Sequence, residues 1–211
     1  MNFKGEVLRK SLHLTGLLVP ASYFLFGKEI TLIFISLAII IFFIIEPYRV
    51  SNETTKKIIE GIKPLLREDT LNIVSKSIES IDRKIKEIAR EEEKIWIGAH
   101  IYFAISALLV VLFFPMNIAM GVLSAATVGD AFAAIAGIKW GRHKFKNGKS
   151  LEGSLAFFLS ALIIYIFFLP WHQAICGSLI GAIVELYNLP PNDNFSNPLV
   201  MAFLIYLFTV I

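Results

Sequence analysis

Four ionisable side chains stand within or at the ends of apolar runs: His13, Glu46, Asp130 and Glu185. A charge in a bilayer is costly, so such residues point first to function. Asp130 is the deepest. It falls in Thr127-Val128-Gly129-Asp130-Ala131, about two turns from the end of its run, roughly 12 Å at 1.5 Å per residue. A carboxylate at that depth needs a cation, a proton or water. Small residues surround it, from Ala119 and Gly121 to Ala136 and Gly137. They let a neighbouring helix come close, and equally let a ligand phosphate approach the backbone.

A second piece follows directly: Gly137-Ile138-Lys139-Trp140-Gly141-Arg142-His143-Lys144-Phe145-Lys146-Asn147-Gly148-Lys149-Ser150-Leu151-Glu152-Gly153-Ser154. Its lysines and arginine suit phosphate oxygens, and its glycines let backbone N–H groups face an anion. Ser150 is placed to cap the next helix, whose N-terminus is an anion site. The same charges serve equally as ordinary cytoplasmic contacts to anionic lipid. The third piece runs from Glu185 through Asn188-Leu189-Pro190-Pro191-Asn192-Asp193-Asn194 to Pro198, an acid leading out of a span into an oxygen-rich loop. Carboxylates, carbonyls and water suit magnesium, which commonly binds together with substrate phosphates. Pro, Asn and Asp also simply make turns.

The elements that must position these groups are membrane helices. Of 211 residues, 56% are hydrophobic, and mean hydropathy is +0.68. Soluble domains are less apolar. Apolar runs near 12–26, 30–45, 95–114, 117–138, 154–169, 173–187 and 197–211 predict an all-α, polytopic bundle of about seven transmembrane helices, a single membrane catalytic domain over 1–211. Short connections at Gly27-Lys28-Glu29, Pro115-Met116-Asn117 and Pro170-Trp171-His172 make neighbouring helices antiparallel. The first run lacks a small-x-small cleavage site and reads as a span rather than a signal peptide. With the N-terminus in the cytoplasm, every basic residue except Lys28 falls inside. The polar stretch 51–94 is a cytoplasmic insertion. Ile78, Ile81, Ile85 and Ile88 give it helical spacing, Ile58, Ile59, Ile62 and Leu65 form a shorter patch, and Pro64 ends that patch. It reads as an amphipathic helical hairpin on the membrane surface or capping the bundle.

This topology gathers His13, Asp130, the basic loop, Glu152, Glu185 and Asp193 at one face. Basic groups, glycines and acids beside an apolar bundle suit a nucleotide phosphate, a metal and a lipid. The outer halves of the spans are almost free of polar groups, which counts against a transporter. Cys176 is the single cysteine, so no disulfide forms within the chain.

The run Asp130-x2-Ala133-x3-Gly137-x3-Gly141-x2-Lys144-x4-Lys149-x2-Glu152-Gly153 resembles the CTP-binding signature of dolichol kinases. It is similar to the matching segment of phytol kinases and CTP-dependent diacylglycerol kinases. Glu6-x2-Arg9-Lys10-x2-His13, Arg90-Glu91-Glu92-Glu93, and Glu185 with Asp193-Asn194 and Pro198 look like further motifs of that family. The chain departs from the pattern at Gly148-Lys149-Ser150, where a paired lysine is common. Phosphatidate cytidylyltransferases belong to the wider superfamily, and their usual signature is absent here.

The resemblance implies transfer of the γ-phosphoryl group of CTP to a polyprenol- or dolichol-type alcohol, phytol, geranylgeraniol or diacylglycerol. It implies Asp130, Glu185 and His13 as catalytic. Asp130, Glu185 and Asp193 would hold Mg2+. Gly137, Gly141, Arg142, Lys144, Lys149, Ser150, Glu152 and Gly153 would hold CTP. The alternatives are a cytidylyltransferase making a CDP-lipid and a non-enzymatic transporter. The expected partners are CTP, a lipid alcohol and the bilayer, with no nucleic acid. The expected location is a prokaryotic cell membrane.

Overall fold

A computed structural model of the chain describes residues 3–50, 57, 59–88, 98–187 and 189–210. Side chains are described for these except residues 3–5, 47–50, 81–88 and 210. Ile58 and Arg90-Glu91-Glu92-Glu93 lie outside the described residues, as do the side chains of Ile81, Ile85 and Ile88. Among the described residues the structure is all-helical, with no strand. The helices are α1 (Phe3–His13), α2 (Leu18–Val50), α3 (Glu68–Ile88), α4 (Ala99–Phe113), α5 (Met116–Trp140), α6 (Leu151–Phe168), α7 (Trp171–Tyr187) and α8 (Asp193–Val210). Among the described residues, three stretches are long and apolar enough to cross a membrane: Glu6–Glu46, Met116–Trp140 and Leu151–Phe168. Ala99–Phe113 is a shorter apolar helix.

The chain divides into two compact units, residues 1–39 with 99–211, and residues 40–98. In the second unit, α3 carries the expected helical spacing. A 3-10 turn at Lys63–Leu65 precedes it, and Leu66 is extended. Pro64 sits in that turn, where its missing N–H costs nothing. Glu46 Oε1 accepts a hydrogen bond from Gly98 N at 2.7 Å.

The first unit holds the chemistry. Within α2 the backbone leaves helical geometry at Gly27, whose φ is 78°. Only glycine adopts that region without penalty. The chain reverses there. Ser22 Oγ and Thr31 Oγ1 are 3.1 Å apart, whereas nine residues of straight helix would separate them by roughly 13 Å. The expected short turn at Gly27-Lys28-Glu29 is therefore present, and Lys28 Nζ caps α4 by donating to Leu112 O at 2.8 Å.

The core is built on α6, which packs against α5 and α7, while α8 packs against α4, α5 and α7. Two aromatic side chains of α6 wedge between glycines of its neighbours. A Cβ on Gly129 or on Gly181 would stand 2.7 Å from the Phe157 ring. One level away, a Cβ on Gly121 would stand 3.2 Å from the Tyr165 ring, and one on Gly177 would stand 3.4 Å from it. Phe157 and Tyr165 are fully buried. The small residues of α5 thus bring helices together, as in membrane packing generally.

One expectation is corrected. Asp193–Pro198 is not a loop but the start of α8. Asn192 nucleates it: its side-chain oxygen accepts from Asn194 N at 3.0 Å, and its carbonyl accepts from Phe195 N at 3.0 Å and Ser196 N at 2.9 Å. Pro198 lies inside α8, in its second turn, where proline removes one helical N–H donor.

Candidate functional site

The loop after α5 turns tightly rather than splaying into solvent. Lys144 and Ser150 pair across it as an isolated antiparallel bridge. Phe145 N donates to Lys149 O at 2.8 Å, Gly148 N to Phe145 O at 3.0 Å, and Leu151 N to His143 O at 3.0 Å. Gly148 takes the turn with φ 82°. Ser150 is the N-cap of α6, its Oγ accepting from Gly153 N at 3.1 Å. Gly137, Gly141 and Gly153 close around that hydroxyl. A Cβ on Gly141 would stand 2.2 Å from Gly137 O and 2.9 Å from Ser150 Oγ. Glu152 braces the same loop, accepting from His143 N at 3.3 Å and lying 2.8 Å from His143 Nδ1.

Three helices then deliver acids to one place. From α5, Asp130 accepts from Lys10 of α1, and His13 Nε2 lies 3.5 Å from the same oxygen. Lys10 is buried, 2% exposed. Position 10 is three residues from position 13, so both side chains share one face of α1. From α7, Glu185 accepts from Lys149 of the loop, and its other oxygen accepts from Asn197 Nδ2 of α8 at 2.8 Å. Asp193 Oδ1 accepts from Asn194 N at 3.0 Å. Burial works to lower the pKa of Lys149, but the charge of Glu185 and its hydrogen bond win, so the ammonium sits above its ordinary value.

His13, Asp130, Glu185, Asp193, Asn194 and Asn197 line one small, partly open pocket, whose empty space with the solvent at its mouth is about 280 Å³, with Phe103, Ala126, Phe157 and Pro198 as its apolar walls. The Phe103 ring also meets the His13 ring edge-on at 5.5 Å. Polar groups therefore converge against an apolar wall at one end of the bundle, as in a ligand site.

The structure brings together four residues singled out in the sequence, His13, Asp130, Glu185 and Asp193, and sets Lys149 against Glu185. Arg142 and Lys144 remain exposed on the loop. Gly137, Gly141, Ser150, Glu152 and Gly153 build the loop and its junction with α6. Lys10 and Asn197 were not singled out as site residues. The signal for Lys10 was its three-residue spacing from His13. Asn197 had none, because only a helix beginning at Asp193 turns it toward Glu185.

The donor chemistry fits a hard cation: three carboxylates and an amide oxygen line one pocket. Yet among the described residues no group of three His, Cys, Asp or Glu side chains converges to hold a metal ion. Asp130 and Glu185 instead hold ammonium groups.

A membrane helix bundle with a buried, charge-paired pocket at one end is the class of protein these features define. No family model matches the chain, and no solved structure does. An uncharacterized protein of Methanocaldococcus jannaschii is 31% identical over 210 residues, covering 95% of this chain and 92% of that one. An uncharacterized Rickettsia prowazekii protein is 28% identical over 207 residues, covering 94% and 92%. CTP-dependent diacylglycerol kinase 1 of Schizosaccharomyces pombe is 32% identical over 148 residues, covering 60% of this chain and 67% of the kinase. The chain belongs to the family that contains these proteins, CTP-dependent diacylglycerol kinase 1 among them.

Proposed function

We propose that the protein transfers the γ-phosphoryl group of CTP to the hydroxyl of a lipid alcohol, giving a lipid monophosphate and CDP. The observation that carries this reading is the convergence of Asp130, Glu185, Asp193 and His13 in one pocket with apolar walls, with Lys149 held against Glu185. The likeness to a CTP-dependent diacylglycerol kinase supports it and suggests the donor. The acceptor is a polyprenol- or dolichol-type alcohol, phytol, geranylgeraniol or diacylglycerol. Each pairs one hydroxyl with a long apolar body.

Phosphoryl transfer asks for positioning and charge stabilisation more than covalent chemistry. Lys149 meets the triphosphate by exchanging Glu185 for phosphate oxygens, with Arg142 and Lys144 drawing the nucleotide to the loop. Glu185, released from that ammonium, or His13 is then free to take the proton of the attacking hydroxyl. Lys10 donates to Asp130 and balances its charge. Mg2+ bound with CTP would be held by Asp130 and Asp193, and would neutralise phosphate charge. The bundle crosses the membrane about seven times, with the N-terminus, the loop and the pocket on the cytoplasmic side, where nearly all basic residues fall.

The test uses purified protein with Mg2+, mixed lipid alcohols and phosphatidic acid, in parallel tubes with γ- or α-labelled CTP. Label entering the lipid phase from γ-labelled CTP alone is the expected result. Label from the α-phosphate makes the enzyme a cytidylyltransferase, and no lipid label from either rejects both.

A further inference from the structure

Most polar groups around the pocket are already matched. Asp130 holds Lys10 and lies beside His13, Glu185 holds Lys149 and Asn197 Nδ2, and Asp193 holds Asn194. Asn197 Oδ1 differs. Asn197 lines the pocket, and among the described residues its Oδ1 is buried with no hydrogen-bond partner. The residue is 5% exposed. A buried acceptor left unmatched is costly, so a native structure that keeps one has a use for it. The amide is also held in place. Its NH2 donates to Glu185 Oε2 at 2.8 Å, which turns the planar group so that its oxygen faces away from that carboxylate.

The chemistry of this atom limits what fills it. A neutral amide oxygen attracts a hydrogen-bond donor and repels phosphate oxygens. A metal ion is drawn more strongly to the charged carboxylates Asp130 and Asp193. The same pocket presents Phe103, Ala126 and Phe157, which suit a hydrocarbon body. The ligand that satisfies both is an apolar molecule ending in a hydroxyl. We propose that Asn197 Oδ1 accepts a hydrogen bond from the hydroxyl of the acceptor lipid as it binds, before that proton turns to the base, and that Asn197 is the residue by which the site distinguishes an alcohol from the same chain without a donor. The proposal rests on the lipid-kinase reading and adds a specificity-determining residue to it. Glu185 also holds the Asn197 amide in place.

The test is binding of geranylgeraniol and of its methyl ether to the purified full chain in detergent. Wild type, Asn197→Leu and Asn197→Ala are compared. The ether keeps the chain and the oxygen but lacks the donor. Wild type is expected to prefer the alcohol roughly tenfold, the worth of one hydrogen bond in a dry site. Both variants are expected to bind the two ligands within about twofold of one another, whatever their overall affinity. The ratio does not depend on the folded fraction. Equal binding by wild type, or a preference that survives in the variants, overturns the proposal. So does a preference seen only when Mg2+ is present, which assigns the oxygen to a cation. Transfer of γ-label is scored separately. No transfer with the hydroxyl preference intact rejects the kinase reading alone, and transfer without the preference rejects the Asn197 contact alone.

Discussion

Phe157 and Tyr165 lie on the same helix, two turns apart, and each wedges between a glycine of α5 and a glycine of α7. Their surroundings differ. Phe157 forms a wall of the pocket that Asp130, Glu185 and Asp193 line, with the lysines of α1 and the loop paired to two of those acids. Tyr165 belongs to the apolar core, and among the described residues its own hydroxyl is buried without a partner. One packing unit is thus used twice, and charge has been added at one end only. Buried ion pairs contribute little to stability compared with well-packed apolar groups. The charged end is therefore read as the working end, and the Tyr165 layer as the part that holds the helices together.

Substitutions can break or sharpen this contrast. Glu185→Ala strands both Lys149 and Asn197, and kcat/KM for transfer is expected to fall at least about a hundredfold, as when a preorganised polar group is lost from a reacting site. Steady-state kinetics check it, and a loss below about threefold would detach Glu185 from the chemistry. Lys149→Ala removes a charged hydrogen-bond donor, so KM for CTP is expected to rise about tenfold or more with a smaller change in kcat. The Lys149–Glu185 pair also predicts a pH signature. The folded-state pKa of Lys149 is raised, so the pair's stabilisation is complete below its ordinary value of 10.5 and fades as pH rises beyond it. The gap in thermal midpoint between wild type and Lys149→Ala should hold up to about pH 10 and close above it.

At the packing end the effects are smaller and of another kind. Gly121→Val drives a side chain into the Tyr165 ring, and overpacking of this sort costs roughly 1–3 kcal/mol. The thermal midpoint should fall while kcat of the folded protein stays within about twofold. A selective loss of kcat would mean that the packing layer shapes the pocket. Tyr165→Phe deletes a buried hydroxyl with no partner, so stability should stay unchanged or rise by up to about 1 kcal/mol. A clear fall in denaturation midpoint would show that the hydroxyl has a partner.

Much of this layout was legible in the sequence because membranes leave few options. An acid inside an apolar run stands out, and Asp130, Glu185 and His13 did. The reversal at Gly27 could be read from Lys28 and Glu29 interrupting two apolar runs, and Ser150 from its place before a helical pattern. What could not be read was which charges meet. Lys10 and Asp130 are 120 positions apart, and Lys149 and Glu185 are 36 apart. Only the packing of α1 on α5, and of the loop against the end of α7, joins them. The start of α8 was missed because Pro190, Pro191 and Pro198 read as loop. The capping by Asn192 decides it, and with it the orientation of Asn197. The glycines of the Asp130–Gly153 run looked like phosphate contacts. In the fold, several of them also seat Ser150 and let α5 and α6 touch.

Asp130→Asn tests the central claim most directly. Transfer from γ-labelled CTP to lipid alcohols would be measured for purified wild type and variant, matched for monodisperse folded protein. The substitution keeps the shape of the side chain and removes the charge that Lys10 and His13 face. Loss of transfer by the variant, with active wild type alongside, is the expected result. Near-normal turnover by Asp130→Asn would contradict the account and leave the ion-paired end of the bundle as packing.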